Sequence, residues 1–178
     1  SAKFQGEPCA SWMGPEGAGH FVKTVHNGIE YADMQMIAEI YGLMRDGLGL
    51  ADSQIGDAFE TWNQGTLESY LVEISAIVAK SVDRSTGRPL LHMIVDAAGQ
   101  KGTGRWTVIE AQHLASPVPA IEAAVAARNL SARRAERAEA EVIFGHGAAR
   151  IPGGEVTLDL LEKALIAGKI MCYAQGFA

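Results

Sequence analysis

Lys23, His26, Asn27, Glu30 and Tyr31 recur at three- and four-residue steps within the run Gly17-Ala18-Gly19-His20-Phe21-Val22-Lys23-Thr24-Val25-His26-Asn27-Gly28-Ile29-Glu30-Tyr31. Wound as a helix at about 100° per residue, they share an arc of roughly 140°, with Val25, Ile29 and Ala32 on the opposite side. An amine, an imidazole, an amide, a carboxyl and a phenol on one stripe can move protons and hold a polar ligand. A plain solvated face is the simpler use of a Lys/Glu pair, because exposed pairs of this kind are common and weak. Two features argue for more. Solvated faces seldom interleave His, Asn and Tyr with charges, and Gly28 costs about 1 kcal/mol of helix propensity with no gain in solubility. A glycine inside a helix predicts that another segment or a ligand packs closely there. Gly17 and Gly19 stand ahead of the stripe, where a bulkier residue would block approach to the helix N-terminus. Residue types alone leave both readings open.

To present that stripe, the helix must bury its other side. Val22, Val25, Ile29, Met36, Ile37, Ile40 and Leu43 predict one long helix from Ala18 to about Leu48, ended by Gly47-Leu48-Gly49. A second is expected over 52–63, with Ile55, Phe59 and Trp62 on one face. A third is expected over 66–80, with Leu67, Tyr70, Leu71, Ile74 and Ile77 inward. Residues 81–89 are turn-rich, and periodicity does not decide the apolar piece 90–98. A glycine-rich loop, Gly99-Gln100-Lys101-Gly102-Thr103-Gly104, feeds a helix over 106–115 that Ser116-Pro117-Val118-Pro119 breaks. Further helices are expected over 120–130, 131–144 and 157–178, with a loop over 145–154. Neither a strand pair nor a fixed-period repeat is expected. The fold class is all-α, built around one long N-terminal helix.

With 178 residues, 48% apolar and 20% charged, the chain has room for one ordinary domain. A formal net charge of −6 argues against nonspecific nucleic-acid binding, which needs a basic face. The pattern predicts neither a membrane-spanning helix nor a signal peptide. Cys9 and Cys172 lie far apart and fit reduced thiols in a cytoplasmic protein. His92, His113 and His146 have no metal-ligand spacing, so no metal is expected. The run Arg133-Arg134-Ala135-Glu136-Arg137 mixes signs and fits a solvated helix face. Residues 1–12 lack a helix pattern, and residues 169–178 stop inside an apolar helical run. The expectation is a piece of a longer protein, cut at both ends.

The run around Lys23 resembles the active-site helix of the 6-phosphogluconate dehydrogenase family. The looser pattern Gly17-x-Gly19-x-x-x-Lys23-x-x-x-Asn27 is shared by the wider β-hydroxyacid dehydrogenases, and His26, Glu30 and Tyr31 narrow it. Trp62-Asn63-Gln64-Gly65 with Ser69-Tyr70-Leu71, the loop Gly99 to Trp106, and Ala127-Arg128-Asn129-Leu130-Ser131 agree with the same family. The resemblance implies oxidative decarboxylation of 6-phosphogluconate to ribulose 5-phosphate with NADP as hydride acceptor, a step of the pentose phosphate pathway and of gluconate utilisation. It implies Lys23 as the base at the C3 hydroxyl and Glu30 as the acid that protonates C1 of the enediol. His26 and Asn27 would hold the substrate, Asn27 also lying near the nicotinamide. Tyr31, Lys101, Thr103 and Arg128 would hold the phosphate end. A lysine working as base near neutrality needs burial or a neighbouring cation, since the free amine titrates near pKa 10.4.

The family places NADP in an N-terminal Rossmann domain, and Gly-x-Gly-x-x-Gly is absent from these residues. The resemblance therefore implies that 1–16 links from that domain and that 17–178 is the first part of the helical substrate-binding and dimerisation domain, inactive alone and paired in a homodimer. Three departures stand out: Arg105 replaces a common lysine, a mild change; Cys9-Ala10 replaces a frequent double cysteine and touches no catalytic role; and His92 stands where an aspartate is usual, from which nothing follows for the site. The rivals are another β-hydroxyacid dehydrogenase and, for the fragment itself, a catalytically silent dimerisation module.

Overall fold

In the computed structural model, which describes residues 1–145, 147, 150–152 and 154–178, the long helix takes the form the apolar series requires. Helix α1 spans Ala18–Gly42 and passes into a π-helical turn, Leu43–Gly47, in which the Leu48 N–H donates to the Leu43 carbonyl at 2.9 Å. Ile29, Ile37 and Ile40 are buried as expected, whereas Val22 and Leu43, at the two ends of the series, are exposed.

Helix α2 (Asp52–Trp62) starts where the Gln54 side chain accepts from the Ala51 N–H at 2.9 Å. Helix α3 (Tyr70–Lys80) begins four residues later than expected. The Ser69 hydroxyl accepts from the Val72 N–H there, and the Ser69 N–H donates to Asn63 Oδ1 at 2.9 Å. Tyr70 and Ile77, expected inward, are exposed; the buried edge is Val72, Ala76 and Ala79. Close packing against α2 selects that edge. A Cβ on Gly56 would lie 3.1 Å from the Ala76 carbonyl oxygen, so small residues meet at the crossing and the large ones are turned away.

Residues 90–98 resolve into a single 3₁₀ turn, Leu90–Met93, and irregular chain. Four helices follow: α4 (Thr103–His113), α5 (Pro119–Ser131), α6 (Arg134–Phe144) and α7 (Leu158–Phe177). Pro119 occupies the first turn of α5, where its missing N–H costs nothing. The Thr157 hydroxyl caps α7 by accepting from the Leu160 N–H at 3.2 Å. One expectation fails at the N-terminus. Lys3–Phe4 (β1) and Glu7–Pro8 (β2) form an antiparallel hairpin turning at Gln5-Gly6. Two-residue strands are too short for alternation to reveal them. Apart from this hairpin the architecture is all-α.

Two apolar clusters support the helices, and α1 runs through both. One joins Ile37, Ile40 and Met44 to Ile55, Phe59 and Trp62 of α2, with Leu161 and Leu165 of α7. The other joins Ile29, Tyr31 and Ala32 to Ala111 of α4, Ile121 and Val125 of α5, and Cys172 of α7. At about 1.5–3 kcal/mol for each large side chain fully buried, these clusters fix the axis of α1. Helix α6 contributes no buried residue to either. Among the described residues no helix is long and apolar enough to cross a membrane.

Candidate functional site

The polar stripe on α1 divides into two parts. In its first part, His26 Nδ1 lies 3.0 Å from Lys23 Nζ, 3.3 Å from Asn27 Oδ1 and 3.5 Å from Glu30 Oε2. One ring nitrogen thus faces one donor and two acceptors. Unprotonated, it accepts from the Lys23 ammonium; protonated, it donates toward Asn27 or Glu30. The side chains of His26 and Glu30 are 54% and 44% exposed, so this cluster is open to a ligand arriving from solvent. Asn27 is half-buried beside it. Gly17 and Gly19 leave open space, because among the described residues beyond its own neighbours a Cβ on either would meet nothing within 4 Å.

The second part leaves solvent. Tyr31 is buried, and the Arg128 guanidinium from α5 stacks over its ring, 4.4 Å from the centroid. Arg128 Nη1 also donates to the Gly99 carbonyl at 3.1 Å, tying the glycine-rich loop to the same corner. The N-terminus of α4 closes against Tyr31, because a Cβ on Gly104 would come within 2.6 Å of that ring. Gly102, at φ +104°, turns the loop into α4 in a conformation that disfavours any residue with a Cβ. Lys101 is exposed on the loop, and Thr103 is the half-buried first residue of α4. Tyr31, Arg128 and the loop carrying Lys101 and Thr103 therefore form one corner.

Gly28 is explained by a neighbouring segment. A Cβ there would lie 2.6 Å from the Thr107 methyl, and Thr107 Oγ1 donates to the Thr24 carbonyl at 2.8 Å. The glycine lets α4 cross α1 closely, which sets the height of the loop above Tyr31.

Beside the stripe, on the buried flank of α1, Asp33 Oδ2 accepts from Lys169 Nζ of α7 at 2.9 Å, with side-chain exposures of only 8% and 12%. The Cys172 thiol donates to the Ile29 carbonyl at 3.3 Å, and burial pushes it up to about 11, which keeps it protonated. The sequence reading missed this pair. Its signal was an acid on α1 and a lysine on α7, each beside buried apolar residues, and periodicity cannot match two such charges 136 residues apart.

His92 also finds a place: its Nε2 lies 2.9 Å from Asp52 Oδ2, while Tyr41 donates to Asp52 Oδ1 at 2.5 Å. Burial, followed by that bond to Asp52, pushes the Tyr41 phenol up to about 12. These contacts tie the 3₁₀ turn to α2, away from the stripe. A nearby apolar cavity of ≈ 350 Å³ is lined by Met34, Ile37, Tyr41, Phe59, Ile74 and Leu91, and no stripe residue borders it. His113 lies 3.7 Å from Glu110, and His146 lies outside the described residues. Among the described residues, no three His, Cys, Asp or Glu side chains gather as a metal site.

Residues 19–178 match the family model described as 6-phosphogluconate dehydrogenase, C-terminal domain. The chain belongs to the 6-phosphogluconate dehydrogenase family. It is 46% identical over its whole length to the Bacillus subtilis NADP(+)-dependent, decarboxylating 6-phosphogluconate dehydrogenase, of which it covers 38%. It is 51% identical over 97% of its length to the human decarboxylating 6-phosphogluconate dehydrogenase, covering 36% of that protein. In structure it is similar to the Plasmodium falciparum 6-phosphogluconate dehydrogenase, solved in its apo form and in complex with NADP+ and with 6-phosphogluconate. The TM-score is 0.93 at 40% identity, over 99% of this chain and 38% of that one. The chain thus spans little more than a third of the length of the relatives it matches. Family membership and the helical fold agree with the reading of the residues; the role of each site residue is a separate question.

Proposed function

We propose that the protein of which this chain forms the helical part oxidises and decarboxylates 6-phosphogluconate to ribulose 5-phosphate and carbon dioxide, the reaction of its family. One observation supports this most directly: Lys23, His26 and Glu30 meet around a single imidazole nitrogen, one helical turn from the Tyr31–Arg128 corner. In this reading Arg128, Lys101 and Thr103 hold the phosphate, with Tyr31 beneath them. His26 and Asn27 orient the sugar acid so that its C3 hydroxyl faces Lys23. The lysine takes the hydroxyl proton as hydride leaves C3, and it later returns a proton to the carbonyl oxygen. Once carbon dioxide has left, Glu30 gives a proton to C1 of the enediol.

NADP, when bound, supplies the hydride acceptor. Half-buried Asn27, beside Lys23, suits the nicotinamide amide, whereas the phosphates need a glycine fingerprint after a strand that these residues lack. We therefore assign 17–178 to substrate binding and acid–base work, and 1–16 to the link from a cofactor-binding domain. The exposed apolar end of α6, Val142, Ile143 and Phe144, supports association with a second copy as a homodimer. Cys9 and Cys172, both unpaired, suit the cytoplasm.

Replacing Lys23 tests the reading. In the full-length protein, Lys23→Met should lower turnover by about 10²–10⁴-fold while binding of 6-phosphogluconate stays measurable. Near-normal turnover would refute Lys23 as the base. Comparable rates on phosphorylated and unphosphorylated sugar acids would favour the wider β-hydroxyacid dehydrogenase class instead.

A further inference from the structure

Arg133 and Glu136 fit the solvated face expected of the 133–137 run, at 3.2 Å and well exposed, but Arg137 does not. Its side chain is 32% exposed although α6 buries no residue, and its Nε is buried without a hydrogen-bond partner. Nη1 donates to the Asp96 carboxylate at 2.8 Å, and Nη2 donates to the Asp96 carbonyl at 2.6 Å and the Ser131 carbonyl at 3.0 Å. The Asp96 carboxylate is 83% exposed, so the ion pair itself contributes little. The two carbonyls matter more. One belongs to the strand of chain leading to the substrate loop, and the other to the last turn of α5, whose terminal carbonyls have no partner within the helix.

The segment beyond Asp96 is tied to the same helix end. The Ala98 N–H donates to the Ser131 hydroxyl at 3.1 Å, Arg128 holds the Gly99 carbonyl, and the Gln100 amide donates to Asn129. Lys101 is the next residue. Residues 96–100 thus form a strap laid along the end of α5, and Arg137 pins its start.

We propose that Arg137 is a positioning residue for the 99–103 loop: through the Asp96 and Ser131 carbonyls it sets where Lys101 and Arg128 meet a phosphate group, without touching the ligand. The inference rests on the assignment of the Tyr31–Arg128 corner to phosphate. A planar guanidinium can bridge carbonyls from two segments with one nitrogen while a second nitrogen holds a carboxylate; a lysine ammonium offers no such fork.

The experiment compares wild type, Arg137→Ala and Arg137→Lys in the full-length protein by amide hydrogen exchange and by calorimetric titration with 6-phosphogluconate and with gluconate. In Arg137→Ala, amides 97–103 should exchange about tenfold faster while those of α2 stay within about twofold. Affinity for 6-phosphogluconate should fall about tenfold and that for gluconate should hold, with Arg137→Lys restoring only part of the loss. Unchanged exchange and unchanged preference for the phosphorylated ligand in Arg137→Ala overturn the inference alone. A wild type that binds the two ligands equally overturns the phosphate corner, and with it the ligand role given to Arg137. Uniformly faster exchange, including α2, reduces Arg137 to a general stabilising residue and also overturns the proposal.

Discussion

Lys23, His26, Asn27 and Glu30 hold one another along a short stretch of a single helix, whereas Tyr31, Arg128 and the 99–104 loop are joined across three segments remote in sequence. The first group is exposed or half-buried and its contacts are local, so its geometry follows from helical spacing once α1 exists. The second is assembled by close packing, with Gly104 against Tyr31 and Gly28 against Thr107. In the proposed reading the first group meets its substrate from solvent, which suits the exposed Lys23 and His26. In the same reading the second group opposes a net charge of −6 locally, and a cation held over a buried ring does that better than a mobile one.

The two regions share one dependence, the seating of α1, and removing it should have the largest effect on stability. Lys169→Met leaves the Asp33 carboxylate buried and unpaired, with its Oδ1 already lacking a partner. Urea denaturation should show a loss of about 3–5 kcal/mol, part of it regained when Asp33→Asn is added. A loss confined to a few tenths would mean that the apolar clusters alone seat the helix.

A smaller effect should separate the regions. Gly104→Ala forces a Cβ against the Tyr31 ring and should cost about 1–3 kcal/mol in the same measurement. It should weaken binding of 6-phosphogluconate more than that of gluconate, since the Lys23–His26–Glu30 cluster does not depend on that contact. Equal weakening of both would erase the distinction between the two regions.

The smallest effect should come from Arg128→Lys, which keeps the charge and removes both the stacking on Tyr31 and the guanidinium hydrogen bond to the Gly99 carbonyl. KM for 6-phosphogluconate should rise about tenfold with kcat little changed. A matching fall in kcat would place Arg128 among the groups that act in the transition state.

Much of this was legible in the residues. The stripe, the long helix, the glycine-rich loop and the breaks at Gly47 and Pro117 all follow from local spacing and chain stiffness. Gly28 announced a close approach, and Thr107 supplies it. The errors share a cause. Tyr70 and Ile77 were expected inward because they are large, yet the edge of α3 that packs inward is Val72, Ala76 and Ala79, with alanine where the two helices come closest. Arg137 was read with its charged neighbours, although its partners are a carboxylate 41 residues away and two backbone carbonyls that no side-chain pattern records.

The sequence by itself determined the helical class, the family and the five polar groups on α1, because those depend on short-range periodicity and residue chemistry. Only the tertiary structure decided that Tyr31 lies buried beneath Arg128, that Asp33 pairs with Lys169, and that a strap fixes the loop beside them. Those contacts join residues tens to more than a hundred positions apart. Which distant partners meet is set by how the helices pack, and only the folded chain specifies that packing.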